Sequence, residues 1–131
     1  MSDPRYKPKS FSAEPEAFGK AVKMRWHPML AGPTERHHRA AMLQHNYACR
    51  IRERLKVEDW TFKRYASEAQ IEYDRLVRML RGEVVMRLED IALADELLKG
   101  VSEWSHRAMR NHAKALEEQR EKEARQNRAK R

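Results

Sequence analysis

The sequence predicts an all-α protein, a bundle of about five helices with basic N- and C-terminal extensions. Three observations carry that expectation. Hydrophobic content is 40% and charged content 37%, with only four glycines in 131 residues, a balance that suits amphipathic helices better than turn-rich sheets. Apolar residues from Leu43 to Leu116 recur at three- and four-residue spacing rather than by alternation. Gly82 and Gly100 stand just past the ends of such patterns, where helix stops belong.

Residues 1–33 form a Pro-rich arm that holds all five prolines, Pro4, Pro8, Pro15, Pro28 and Pro33, and so excludes one long helix there. A short helical piece is expected over 17–24, with Phe18 and Val22 in contact at i,i+4. The arm's Arg5, Lys7, Lys9, Lys20, Lys23 and Arg25 suit a segment that tracks a DNA minor groove. Its Phe18, Trp26 and Met29 suit one that packs on the rest of the chain. Residues 34–100 are the expected domain. Thr34 is a suitable N-cap for a helix reaching to near Lys56, in which Leu43, Tyr47, Ile51 and Leu55 recur every four residues beside Ala40, Ala48 and Cys49. Its first half, with Arg36, His37, His38 and Arg39, is surplus that either the C-terminal helix or a second subunit could cover.

From Thr61, a second N-cap, Tyr65, Ala66 and Ala69 share one helix face, and the pattern resets at Gln70–Ile71. A further helix follows from about Asp74 to Leu80, with Leu76, Met79 and Leu80 inward and Arg75, Arg78 and Arg81 on the outer face. Gly82 ends it. Two helices this short need flanking helices to bury their stripes, and a compact helix-turn-helix with basic residues on its second helix fits a major groove. Val84, Val85 and Met86 are apolar for an exposed loop and are expected to fold back on the core. Leu88 to Leu98 makes the next helix, with Leu88, Ile91, Asp95 and Leu98 on one face and Ala94 and Leu97 at its edge. Residues 101–131 form a C-terminal helix and basic tail. Ser102 is its expected cap, with Glu103 near the positive end and Trp104, Ala108, Ala115 and Leu116 as a sparse stripe helped by Met109 and His112. Beyond Leu116 the stripe vanishes and a solvated, fraying helix is expected, ending in Arg125, Arg128, Lys130 and Arg131.

The net charge is +8. Residues 1–33 carry six Lys/Arg against three Asp/Glu (+3), residues 101–131 nine against five (+4), and residues 34–100 thirteen against twelve (+1). The excess therefore sits on the flanks, as it would in a protein that grips a polyanion partly with its extensions. No apolar run approaches the ~20 residues that a bilayer-spanning helix needs, and no secretory segment is evident. The single Cys49 excludes an intrachain disulfide and suits a reducing cytoplasm. His27, His37, His38, His45, His106 and His112 raise a metal reading, and His45 and Cys49 stand at i,i+4. Without a second cysteine or a repeated carboxylate–His spacing, solvent, core-edge or phosphate-contact roles suit them better than zinc. No Gly-rich phosphate loop or nucleophile–base motif occurs, and Cys49 on an apolar helix face reads as core. The expected protein is not an enzyme, and no cofactor, metal or small-molecule substrate is called for.

The stretch WTFKRYASEAQIEYDRLVRMLRG, residues 60–82, resembles the helix-turn-helix of the Cro/repressor (XRE) family of bacterial and phage regulators. Trp60, Thr61, Tyr65 and Ala66 sit where that family has its hydrophobic–Ser/Thr–x–x–x–Leu–Ala motif. Ile71, Leu76, Arg78 and Gly82 match the Val/Ile, Ile/Leu, Arg and Gly that punctuate its recognition helix. Leu88, Glu89 and Ile91 match the Leu–Glu–x–Leu/Ile that opens its next helix. The resemblance spans residues 47–99 and implies a lambda-repressor-like bundle. Three positions depart from it. Gln70 replaces the usual turn glycine, and since a left-handed backbone costs about 1 kcal/mol for such a residue, a reshaped turn is expected. Phe62 replaces a Gln that often touches phosphate. Leu55 and Leu80 replace an Arg–Glu pair, a double swap that can be neutral or stabilising, so Leu55 is expected to touch Leu80.

The same resemblance implies double-stranded DNA as the partner, read as operator sequence with residues 74–80 in the major groove. Tyr73, Asp74 and Arg78 then face base edges, while Thr61, Lys63, Arg64, Arg75 and Arg81 contact the backbone. Arg78 has the chemistry for guanine N7 and O6. Asp74 can accept from cytosine N4, cap its helix or hold Arg78, and Tyr73 can touch a thymine methyl or a phosphate. Relatives bind two half-sites as homodimers, and the helix at 34–45 and 102–116 is available for such an interface. A cytoplasmic transcription regulator, more simply a repressor than an activator, is the implied function. Two other classes fit the residues: a helix-turn-helix adaptor or antitoxin-like protein that holds a protein partner, and a weakly specific nucleoid or plasmid-maintenance DNA-binding protein.

Overall fold

The computed structural model describes residues 3–130. Met1, Ser2, Arg131 and the side chain of His112 lie outside the described part, and with them the sequence expectations for Arg131 and His112. Five α-helices follow one another: α1 (Glu35–Val57), α2 (Phe62–Ala69), α3 (Tyr73–Leu80), α4 (Leu88–Leu98) and α5 (Val101–Ala129). Among the described residues no strand forms, so the protein is all-helical as its composition and periodicity predict. No described helix is long and apolar enough to cross a membrane.

One core draws on all five helices. Tyr47, Ile51 and Leu55 of α1 meet Tyr65, Ala66 and Ala69 of α2, Leu76, Met79 and Leu80 of α3, Ala94 and Leu98 of α4, and Val101 of α5. Leu55 and Leu80, the two residues expected to replace an ion pair with an apolar contact, are both fully buried in this one cluster. Arg54 Nε donates to the Leu98 carbonyl at the end of α4 at 3.1 Å, and α5 then runs back along α1, with Tyr47 Oη 2.6 Å from His106 Nε2. Gln44, a polar residue on the buried face of α1, fixes the far side. Its Nε2 donates to the carbonyls of Met79 (3.0 Å) and Val84 (2.9 Å), and its Oε1 accepts from the Met86 N–H at 2.8 Å. That is why the loop after α3 folds back, with Met86 buried, Val84 half-buried and Val85 left exposed.

The three short connections share one ending. Asp59, Gln70 and Gly82 all adopt positive φ, and the next residue's N–H reaches back to close the helix: Trp60 to the Leu55 carbonyl, Ile71 to Ala66 and Glu83 to Arg78, at 2.8–2.9 Å. These are Schellman closures. The turn at Gln70 is therefore not reshaped. Gln70 takes the left-handed conformation (φ 56°, ψ 44°) that a glycine would, because two backbone hydrogen bonds and the seating of Ile71 against the core offset its cost of about 1 kcal/mol. Thr61 caps α2 as expected, its Oγ1 accepting from the Arg64 N–H at 3.0 Å.

Several expectations are corrected. Thr34 precedes α1 but makes no side-chain cap. Ser102 lies inside the first turn of α5, not at its cap, and donates its N–H (2.8 Å) and its hydroxyl to the Asp95 carboxylate, tying α4 to α5. The inward stripe of α4 is Asp90, Ala94 and Leu98, not one led by Leu88, which is 85% exposed. Past Leu116, α5 is a regular helix to Ala129 with every described side chain exposed.

The N-terminal segment is also different. Residues 17–24 form no α-helix, and Val22 is exposed while Phe18 is buried, so the expected pair does not form. Short 3-10 turns begin instead at Pro4, Pro8 and Pro15, where proline's fixed φ is an advantage. Residues 11–13 and 25–27 pair as a single antiparallel bridge: Ala13 N–H donates to the Arg25 carbonyl and His27 N–H to that of Phe11, both at 3.0 Å. The segment lies on the first half of α1, with the Phe11, Phe18 and Trp26 rings against the His38 and His45 rings at 5.1–5.8 Å. The apolar face of α1 around His38, Ala41, Met42 and His45 is thus covered by the chain itself and is not free for a second subunit.

Candidate nucleic-acid interface

The residues assigned to DNA fall on α2, α3 and the turns beside them. α3 is sharply two-sided. Leu76, Met79 and Leu80 are buried, whereas Tyr73, Asp74, Arg78 and Arg81 are exposed. A helix places residues 74, 78 and 81 on one face, so Asp74, Arg78 and Arg81 point away from the core together, with Tyr73 beside them at the helix start. On α2, Lys63 and Arg64 are exposed, and Arg64 lies over the Trp60 ring at 4.4 Å. Thr61 is exposed as well, its oxygen engaged by the Arg64 N–H and its hydroxyl proton still available.

Arg75 departs from the outer face it was assigned. Its guanidinium forms a two-pronged pair with the Asp90 carboxylate, Nη1–Oδ1 at 2.9 Å and Nη2–Oδ2 at 2.5 Å. Asp90 is only 3% exposed and also accepts from the Arg87 N–H at the start of α4. Hydrogen bonding to the carboxylate raises the Arg75 pKa further above its usual range. The physical reason for the correction is that a buried Asp90 demands a cation, and Arg75 is the one that α3 brings to it.

Three charged residues that the sequence reading did not single out stand near this face. Arg87 is exposed at the N-cap of α4 and, with Glu72, Asp74, Arg75, Arg78, Val84 and Val85, lines a concavity of about 360 Å³ beside α3. A basic residue where Ser or Asp would ordinarily cap a helix was the available signal. Glu83 faces Arg78 Nε across 3.7 Å. Arg52 of α1 lies over the Phe62 ring at 5.1 Å, and burial pulls its pKa below the usual range. Phe62, at the position of the family's phosphate-touching Gln, thus serves as an aromatic platform.

The His45–Cys49 pair has its nitrogens engaged. The Gly19 N–H donates to His45 Nδ1 at 2.9 Å, which makes Nε2 the protonated nitrogen, 3.3 Å from the Val22 carbonyl. Burial lowers the His45 pKa and pushes the Cys49 thiol up to about 12. The pair offers neither a metal lone pair nor a ready thiolate. Among the described residues no cluster of three or more His, Cys, Asp or Glu is grouped to hold a metal.

Comparisons with protein-family models, with curated proteins and with solved structures find no match to this chain.

Proposed function

We propose that the protein is a sequence-specific DNA-binding regulator, with α2 and α3 acting as a helix-turn-helix of the Cro/repressor kind and α3 lying in the major groove. One observation carries this reading: α3 is anchored by a fully apolar side while Tyr73, Asp74, Arg78 and Arg81 face outward from a short, rigidly closed helix pair. Arg78 would read guanine, Asp74 and Tyr73 the neighbouring bases, and Thr61, Lys63, Arg64 and Arg81 the phosphates. Arg75 is assigned instead to bracing α3 on α4. Binding as a homodimer to two half-sites, a cytoplasmic location and a repressive rather than activating effect belong to the same proposal. The test is selection of bound duplexes from a random library at about 150 mM salt. Recovery of a palindromic motif supports specificity and dimer binding together, and recovery of unrelated duplexes contradicts base reading.

A second reading has its own observation. Tyr73, Val85 and Leu88 are large apolar residues exposed on and beside α3, 42%, 47% and 85% respectively, which suits a helix-turn-helix adaptor or antitoxin-like protein whose α3 face holds a protein partner. Absence of duplex binding even at low salt would favour it. Salt-dependent binding to any duplex would favour a nucleoid or plasmid-maintenance role.

A further inference from the structure

Resting on the DNA-binding reading, we propose that Glu83 positions Arg78 for guanine and that Lys9, from the N-terminal segment, holds Glu83 in place. The Glu83 carboxylate is shared between two cations. Oε2 lies 3.7 Å from Arg78 Nε, and Oε1 lies 3.3 Å from Lys9 Nζ. The two outer partners differ in exposure: the Arg78 side chain is 58% exposed and that of Lys9 30%. Arg78 therefore reaches outward from a set-back carboxylate. The ion-pair contact is at Nε, beyond hydrogen-bond distance, so it leaves both terminal nitrogens of the guanidinium free, and parallel N–H groups are what the O6 and N7 of guanine accept.

Lys9 does not reach Glu83 by chance of side-chain position. Its backbone N–H donates to the Gly82 carbonyl at 2.9 Å. The segment it belongs to is clamped onto the end of α3 at two further points where glycine is required. A Cβ on Gly19 (φ +73°) would lie 2.1 Å from the Leu80 carbonyl oxygen, and one on Gly82 (φ +74°) would lie 2.7 Å from the Phe18 ring. The N-terminal segment and the α3 terminus thus meet backbone to backbone, which fixes the Lys9–Glu83–Arg78 row relative to α3. An arginine already held loses less rotamer freedom on binding. A lone carboxylate beside phosphates would repel them, and the Lys9 charge offsets it.

The role separates from simple charge or folding effects by the ratio of affinities for the selected site and a random-sequence duplex. Glu83→Gln removes a negative charge, so random-duplex affinity should hold or rise, while the ratio should fall by about fivefold or more. In an Arg78→Ala background the same Glu83→Gln change should leave the ratio unchanged within about twofold, since no arginine remains to position. Lys9→Met, one contact behind Arg78 in the row, should also lower the ratio, and urea midpoints recorded for each variant separate this from loss of folding. An unchanged ratio in Glu83→Gln and Lys9→Met, or an equal fall in the Arg78→Ala background, overturns the positioning role. Wild-type protein with no preferred duplex overturns the DNA-binding reading and the positioning role together, and that result is visible before any variant is made.

Discussion

The two basic flanks of this chain carry similar excess charge and fold in opposite ways. The N-terminal segment, with a net +3 over residues 1–33, is broken by prolines yet lies tightly on α1 and on the end of α3. The C-terminal helix, with a net +4 over residues 101–131, is regular to Ala129 yet has only exposed described side chains from Arg110 onward. Charge does not decide the difference. Phe11, Phe18, Met24 and Trp26 give the first flank apolar and aromatic surface to bury, and the second has none past Leu116. Several cations of the first flank are also used internally, Arg5 on Asp3, Lys9 on Glu83 and Arg25 on Glu14. In the second, acids and bases are interleaved past Leu116, as in the Arg125–Glu121 pair.

Phe18→Ala breaks the comparison most severely. The ring is 1% exposed, and its removal should cost about 3–5 kcal/mol in urea denaturation. A loss below about 0.5 kcal/mol would mean that the N-terminal segment is a solvated arm after all.

A smaller effect comes from pH. The His45 and His38 pKa values are both lowered, chiefly by burial, so the folded protein refuses protons that the unfolded chain accepts below about pH 6.5. The unfolded state then binds more protons, and stability should fall as pH drops through that point. His45→Gln should flatten part of the slope between about pH 7.5 and 5.5, leaving the His38 share. An unchanged slope would show that the N-terminal segment does not keep His45 dry.

The smallest effect is expected from deleting residues 117–131. Stability should change by no more than about 0.5 kcal/mol. Duplex binding should weaken several-fold at about 50 mM salt through lost net charge, and the difference should vanish near 200 mM. A large loss of stability would mean that the distal helix is docked.

What was legible in the sequence was whatever depends on a single helix's own periodicity. Tyr65, Ala66 and Ala69, then Leu76, Met79 and Leu80, gave the phase of α2 and α3, and Thr61 and Gly82 gave their ends. The phase of α4 was not legible, because an aspartate falls on either candidate stripe, Asp95 with Leu88, Ile91 and Leu98 or Asp90 with Ala94 and Leu98. Asp90 is inside only because Arg75 arrives from α3 to pair with it, and without that knowledge exposed Leu88 completes a more apolar stripe. The same pairing removed Arg75 from the candidate interface. Ring contacts with His38 and His45, which decide the course of the N-terminal segment, join residues far apart in sequence and leave no periodic trace. Gln44 and Glu83 were missed for that reason too, since each matters through partners on another element.

The most direct test of α3 as a reading helix is the affinity of Arg78→Ala for the selected duplex and for a shuffled one, measured side by side at about 150 mM salt. The expected result is a loss of about 1–3 kcal/mol on the selected site and relaxed specificity, with little change on the shuffled duplex. Equal loss on both, or none on either, would contradict it.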